Sequence, residues 1–128
     1  MTSIFFVDPP ITKKEEYGQL SVAGSYAPPL GLVALASASQ SKRYPTAILD
    51  ASTEGLDVEA AAARVIAARP DVVGITITTP QYDGAAELAT RIKEELPKTL
   101  IIAGGPHCTS VPEESLRRCP SLRLIADY

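Results

Sequence analysis

Short runs of aliphatic and β-branched residues recur along the chain at 3–7, 46–49, 71–76, 99–103 and 122–125. Most are apolar at successive rather than alternate positions, the pattern of a strand covered on both faces. Helical periodicities fill the intervals between them. Val58, Ala61, Ala62, Val65 and Ile66 share one helical face, with Glu59, Arg64 and Arg69 pointing elsewhere. Ala85, Leu88, Ala89, Ile92 and Leu96 repeat the pattern, and Glu87, Arg91 and Glu95 follow at intervals of four on the solvent side. Asp57 is placed to cap the former helix, and Leu56 just before it to act as an apolar staple. A helix from Pro29 to about Arg43 turns Leu32, Leu35 and Ala36 inward, and a short one starts near Pro112, whose missing amide costs nothing in a first turn. The alternation predicts an α/β sandwich: a five-stranded parallel sheet with helices on both faces and right-handed crossovers.

At 128 residues the chain is about one domain's worth, a single unit over 1–128. Hydrophobic residues at 45% and charged residues at 21% exclude disorder and coiled coil, and the apolar runs are too short for a membrane span. A net charge of −3 with scattered basic residues argues against nucleic acid as a partner. Cys108 and Cys119 make neither a disulfide framework nor a four-ligand zinc set, and no secretory leader pattern is present, so cytoplasmic residence is the default. Proline is over-represented, with 11 residues. Pro45, Pro70, Pro97 and Pro120 lead into strands. Pro9, Pro10, Pro28, Pro29, Pro80, Pro106 and Pro112 all fall in segments that leave a strand, so the unusual loops share the carboxyl edge of the sheet. That edge is where open α/β sheets bind ligands. The stretch from Asp8 to Pro28 is its longest connection, of a length that is usually functional or mobile.

Several functions are absent by their motifs. The turn after the first strand reads Asp8-Pro9-Pro10 rather than G-x-G-x-x-G, no G-x-x-x-x-G-K-[ST] loop occurs, and the third strand ends in threonines rather than the carboxylate of a phospho-accepting receiver. Thr76-Ile-Thr78-Thr79-Pro80 sets small hydroxyls at a strand end, where they can bond a polar group or simply cap the next helix. Gly104-Gly105 allows either close approach of a ligand to the backbone or a tight turn. His107 is the sole histidine, and with Cys108 it falls short of the three or four ligands of a metal site, so a ligand-facing or loop-stabilising imidazole is the expectation. Cys119 is expected to pack as a small hydrophobe. Asp8 and Asp50 are too isolated to form an acid/base pair.

Together, Pro28-Pro-Leu-Gly31, Leu49-Asp-Ala51 with Glu54-Gly-Leu56, Pro70-Asp-Val-Val-Gly-Ile75, Thr76-Ile-Thr-Thr-Pro80 and Ala103-Gly-Gly-Pro-His107 with Pro112-Glu-Glu114 resemble the N-terminal cobalamin-binding domain of cobalamin-dependent radical S-adenosylmethionine enzymes. The resemblance is to the group that includes the anaerobic magnesium-protoporphyrin monomethyl ester cyclases, and it covers nearly the whole chain. It implies a flavodoxin-like sheet of order 2-1-3-4-5, with the corrin ring at the carboxyl edge and the nucleotide tail in a groove against the sheet. The residues it implies for the cofactor are Pro10, Pro29, Leu30, Gly31, Thr76, Thr78, Thr79, Gly104, Gly105 and His107, with none catalytic and none bonded to metal.

The same resemblance carries two departures. The segment 8–28 contains no histidine, so base-off cobalamin without a histidine ligand is implied. The C-x-x-x-C-x-x-C motif of the radical domain is missing, so an iron–sulfur cluster and S-adenosylmethionine are implied only for a following barrel domain, which would be the partner of this one. The chain is thus expected to be an excised or truncated binding module that presents cobalt for methyl or electron transfer. The alternative is a degenerate flavodoxin-like domain that serves protein contacts without cofactor.

Overall fold

The computed structural model describes residues 2–11 and 30–126. The elements are β1 (Ile4–Asp8), α1 (Leu30–Ser41), β2 (Thr46–Asp50), α2 (Val58–Ala68), β3 (Val72–Thr76), a 3-10 turn (Thr79–Gln81), α3 (Tyr82–Glu95), β4 (Leu100–Gly104), α4 (Pro106–Ser110), α5 (Pro112–Arg118) and β5 (Leu124–Ala126). The strands pair in parallel in the order β2-β1-β3-β4-β5. Four of them, β2-β1-β3-β4, are five residues long and make the body of the sheet, while β5 adds three residues at one edge. The α/β class and the parallel sheet are as the alternating pattern predicts, and the order of those four strands is the one the resemblance implies. Four of the strands start one or two residues after the first residue of their apolar runs, and β2 starts with its run at Thr46. The stretch from Asp8 to Pro28 lies largely outside the described residues, as does Pro29.

Register and alternation divide the sheet into two unequal faces. Phe5, Val73 and Ile101 are aligned across β1, β3 and β4, as are Val7, Ile75 and Ala103. All six are buried and merge with Val58, Ala61, Ala62 and Val65 of α2 and Tyr82, Ala85, Leu88, Ala89 and Ile92 of α3 in one core. Each large aliphatic side chain taken from water here contributes about 1.5–3 kcal/mol. The Asp57 carboxylate caps α2 by accepting from Ala60 N–H at 2.7 Å, as its position before the helix predicts.

On the opposite face α1 packs over β1 and β2, and Leu32 and Ala36 cover Phe6, with Ile4 and Leu35 at the margin. Further along this face Val72, Gly74, Thr76, Leu100 and Ile102 are only half-buried. Phe6, Gly74 and Ile102 are register partners, and the Phe6 ring spreads over the space a side chain at 74 would need, 2.9 Å from its Cβ position. The result is a shallow apolar shelf on β3 and β4 beside α1, ending at Thr76.

Gly74→Val is expected to destabilise the fold by about 1–3 kcal/mol, because the Phe6 ring is packed and must move. In a Phe6→Leu background the same substitution should cost less. Thermal melts of the four-member cycle measure the difference.

Candidate functional site

Three strand ends converge at the carboxyl edge, and backbone bonds lock two of them together. Ile77, one residue past β3, donates its N–H to Gly104 C=O at 2.8 Å and accepts from His107 N–H at 3.1 Å. Gly105 crosses between these bonds with φ +98°, in the region that favours glycine, and a Cβ there would stand 2.9 Å from both the nitrogen and the oxygen of Ile77. Thr76 Oγ1 would be 3.0 Å away. The space a side chain at Gly105 would need is therefore taken up by the protein's own backbone, the tight-turn role that the sequence leaves open beside close approach of a ligand. Gly104 closes β4, and its carbonyl is the acceptor for Ile77.

Beyond Ile77 the chain turns outward. Thr78 and Thr79 are exposed and Thr76 is half-buried at the end of the shelf. Thr78 heads a capping box with Gln81, so the capping role that its spacing leaves open is realised. Gln81 is 5% exposed and belongs to this edge, though the sequence reasoning passed over it. Its Nε2 donates to Asp8 Oδ1 at 2.6 Å and to Pro9 C=O at 3.0 Å, and its Oε1 accepts from the Thr78 N–H at 3.0 Å and hydroxyl at 2.9 Å. The signal that could have found it is the T-x-x-Q spacing, which puts a glutamine at the third position after a threonine cap.

His107 sits on α4, a short helix opened by Pro106 that the sequence reading left as loop. Its Nδ1 lies 3.2 Å from Thr79 Oγ1, and its ring packs on Tyr82 with centroids 4.6 Å apart. The Arg118 guanidinium lies over the Tyr82 ring at 4.9 Å, and the Tyr82 hydroxyl donates to Ser115 C=O at 2.7 Å. The imidazole thus fastens α4 to the loop after β3, the loop-stabilising role. Cys108 is buried, and burial pushes its thiol up against the opposing pull of a Ser115 hydrogen bond. Cys119 is buried at the end of α5, as a small hydrophobe would be. Among the described residues no three His, Cys, Asp or Glu side chains cluster as a metal site would require.

The remaining expected residues lie apart. Pro10 is buried, with its carbonyl against Gly84 of α3 at 2.9 Å from the Cβ position. It lines a separate cleft of about 410 Å³ on the α2–α3 side, together with Ser52, Leu56, Asp57, Glu87 and Arg91. Leu30 and Gly31 open α1, with Gly31 exposed. The structure thus brings together Thr76, Thr78, Thr79, Gly104, Gly105 and His107, and does not bring Pro10 to them.

Asp8 and Asp50, expected to be isolated, are register partners at the ends of β1 and β2. Desolvation raises the Asp8 pKa above the ordinary carboxylate value, the Gln81 bond opposes this, and the Asp50 charge adds to it. Asp50 accepts from the Thr53 N–H and hydroxyl at 3.1 and 2.7 Å.

A parallel α/β sheet with a hydroxyl-lined and glycine-lined carboxyl edge, and an open apolar shelf beside it, defines a ligand-binding domain of the doubly wound class. The chain matches the B12 binding domain family over residues 19–126 and belongs to that family, which supports cobalamin as its ligand. It is also similar to an uncharacterized methyltransferase of Pyrococcus horikoshii, 38% identical over 107 residues. The match covers 81% of this chain and 22% of that protein, so the chain spans about a fifth of its relative's length. No helix among the described residues is long and apolar enough to cross a membrane.

Gly105→Ala is expected to cost about 2 kcal/mol or more, measurable by chemical denaturation, through positive φ and backbone overlap together. Asp8→Asn should raise the melting temperature at pH 7, since the raised pKa means the ionised carboxylate costs the folded state stability, while an asparagine Oδ1 still accepts from Gln81. The gap should close as pH falls through the folded pKa of Asp8 toward the unfolded value near 3.9.

Proposed function

We propose that this chain is the cobalamin-binding module of a larger radical S-adenosylmethionine enzyme. The single observation that carries the reading is the half-buried shelf of Val72, Gly74, Leu100 and Ile102, which runs without interruption into Thr76 and the exposed Thr78 and Thr79. A flat ring with an apolar-faced tail needs such a pairing, and bulky side chains at 74 or 104 would remove it. The residues present therefore fit the group. When bound, cobalamin supplies a cobalt centre able to accept or deliver a methyl group or an electron. The chain's own part is binding and placement. Thr78 and Thr79 would hydrogen-bond polar groups of the ligand, Thr76 would border it at the end of the shelf, and the glycine pair would keep the edge low. Gly31, exposed in the first turn of α1, flanks the same face. His107 lines the edge while tied to Thr79 and Tyr82, and the absence of histidine from the segment 8–28 supports a base-off cofactor without a histidine ligand.

The identity of the rest of the protein rests on the partial coverage of the methyltransferase relative, which supports a domain within a longer chain. In this reading a barrel domain with its iron–sulfur cluster and S-adenosylmethionine is the partner, the reaction is a methyl transfer or a cyclisation of the magnesium-protoporphyrin monomethyl ester type, and the setting is the cytoplasm.

Titration of the chain with hydroxocobalamin and with methylcobalamin tests the reading. The expected result is a saturable shift of the visible spectrum to that of base-off cobalamin, with a raised melting temperature. Gly104→Val should weaken binding by about tenfold or more, close to 1.4 kcal/mol for each factor of ten. No saturable binding, in this chain or in the longer protein, would leave the protein-contact alternative in its place.

A further inference from the structure

The Gln81 amide admits only one orientation. On one side stand two acceptors, the Asp8 carboxylate at 2.6 Å and the Pro9 carbonyl at 3.0 Å. On the other stands the Thr78 N–H at 3.0 Å, which can only donate. The NH2 must face the acceptors and the carbonyl must face Thr78. An amide carbonyl cannot donate, so the Thr78 hydroxyl, 2.9 Å from the same oxygen, is the donor in that bond. Its single proton is committed inward. With the capping-box bond from the Gln81 backbone N–H also turned inward, what the exposed hydroxyl offers outward is its remaining acceptor capacity only. Because Gln81 is buried and makes all four of these bonds, reversing them would leave buried polar groups unpaired.

We propose that Gln81 is a positioning residue that makes Thr78 an acceptor-only contact, so that this point of the edge selects a ligand N–H donor, a primary carboxamide of the corrin periphery, against a carboxylate or phosphate oxygen. The inference rests on the cobalamin reading and specifies its chemistry at one atom. A carboxamide can turn an N–H to Thr78 Oγ1. A carboxylate in the same place sets lone pairs against lone pairs. Without Gln81 the hydroxyl is free to rotate and donate, and the distinction disappears.

The test compares cobalamin with the cobalamin monocarboxylic acids in which single peripheral propionamides are hydrolysed, titrated at pH 7.5 against the wild-type chain, Thr78→Val, Thr78→Ser and Gln81→Leu. One of the acids is expected to bind the wild type about tenfold more weakly than cobalamin does. Thr78→Ser should keep that ratio, while Thr78→Val and Gln81→Leu should bring it to about twofold or less. A role of Gln81 in stability alone would shift all the ligands equally. A ligand-free readout bears on the amide orientation itself. Gln81→Glu sets a carboxylate against Asp8 and should lower the melting temperature, and adding Asp8→Asn, which supplies an NH2 to that carboxylate, should recover part of the loss. Binding of cobalamin and every acid with equal affinity, or a preference that survives Thr78→Val, would overturn the inference and leave the cobalamin reading standing. Absence of saturable cobalamin binding would overturn both.

Discussion

The carboxyl edge depends on the backbone of one residue, Ile77. Parallel strands diverge where they end, and nothing in a ladder dictates where the following loops go. Here the pairing of β3 with β4 is carried one residue further by Ile77 N–H to Gly104 C=O, and then reversed by His107 N–H to Ile77 C=O. The chain can make both bonds only if position 105 has no side chain and accepts φ +98°. From this knot Thr78 departs outward and α4 begins. Gln81 then brings in the third strand end by holding Asp8 and Pro9. Three loops that share no sequence neighbourhood are thereby set in one frame.

The inequality of the two faces explains how an edge so lightly covered is maintained. The α2–α3 side carries a continuous core in which Val7, Val65, Val73, Leu88, Ile92 and Ile101 are fully buried. Among the described residues the α1 side has a cluster of three buried residues with two at its margin. Stability is thus concentrated on one side of the sheet, and the other can leave Gly74 and Ile102 half-covered without endangering the fold. Gly74 would be a liability in an ordinary central strand, since it gives up both packing and backbone entropy. Its place beneath the Phe6 ring lets one aromatic span two strands and keeps the shelf flat.

Much of this was legible from residue patterns. Helical spacing located α2 and α3 and their inward faces, and the Asp57 cap is where a carboxylate before a periodic run should be. Proline placement marked the carboxyl edge as the rim that carries the irregular connections. The pattern failed where tertiary contacts decide. Gly-Gly reads alike as a ligand cradle or as a backbone crossing, and only the position of Ile77 separates them. Asp8 and Asp50 are more than forty residues apart in sequence and become neighbours through strand order. Helix α4 is too short for a periodicity to register, so His107 read as a loop residue.

The assignment of His107 follows from competing demands on one ring. Its Nδ1 is engaged with Thr79 and one face lies on Tyr82, whose other neighbour is the Arg118 guanidinium. This column joins α3, α4 and α5, and the Tyr82 hydroxyl anchors it to the Ser115 carbonyl. Drawing the imidazole out to reach a ligand would break the Thr79 contact and uncover Tyr82, which is 4% exposed. Loss of that packing falls on the same α4 that Ile77 holds by its carbonyl. The histidine is therefore most valuable to the edge where it stands, as the fastener between two loops. The exposed hydroxyls of Thr78 and Thr79 stand beside it on the same edge.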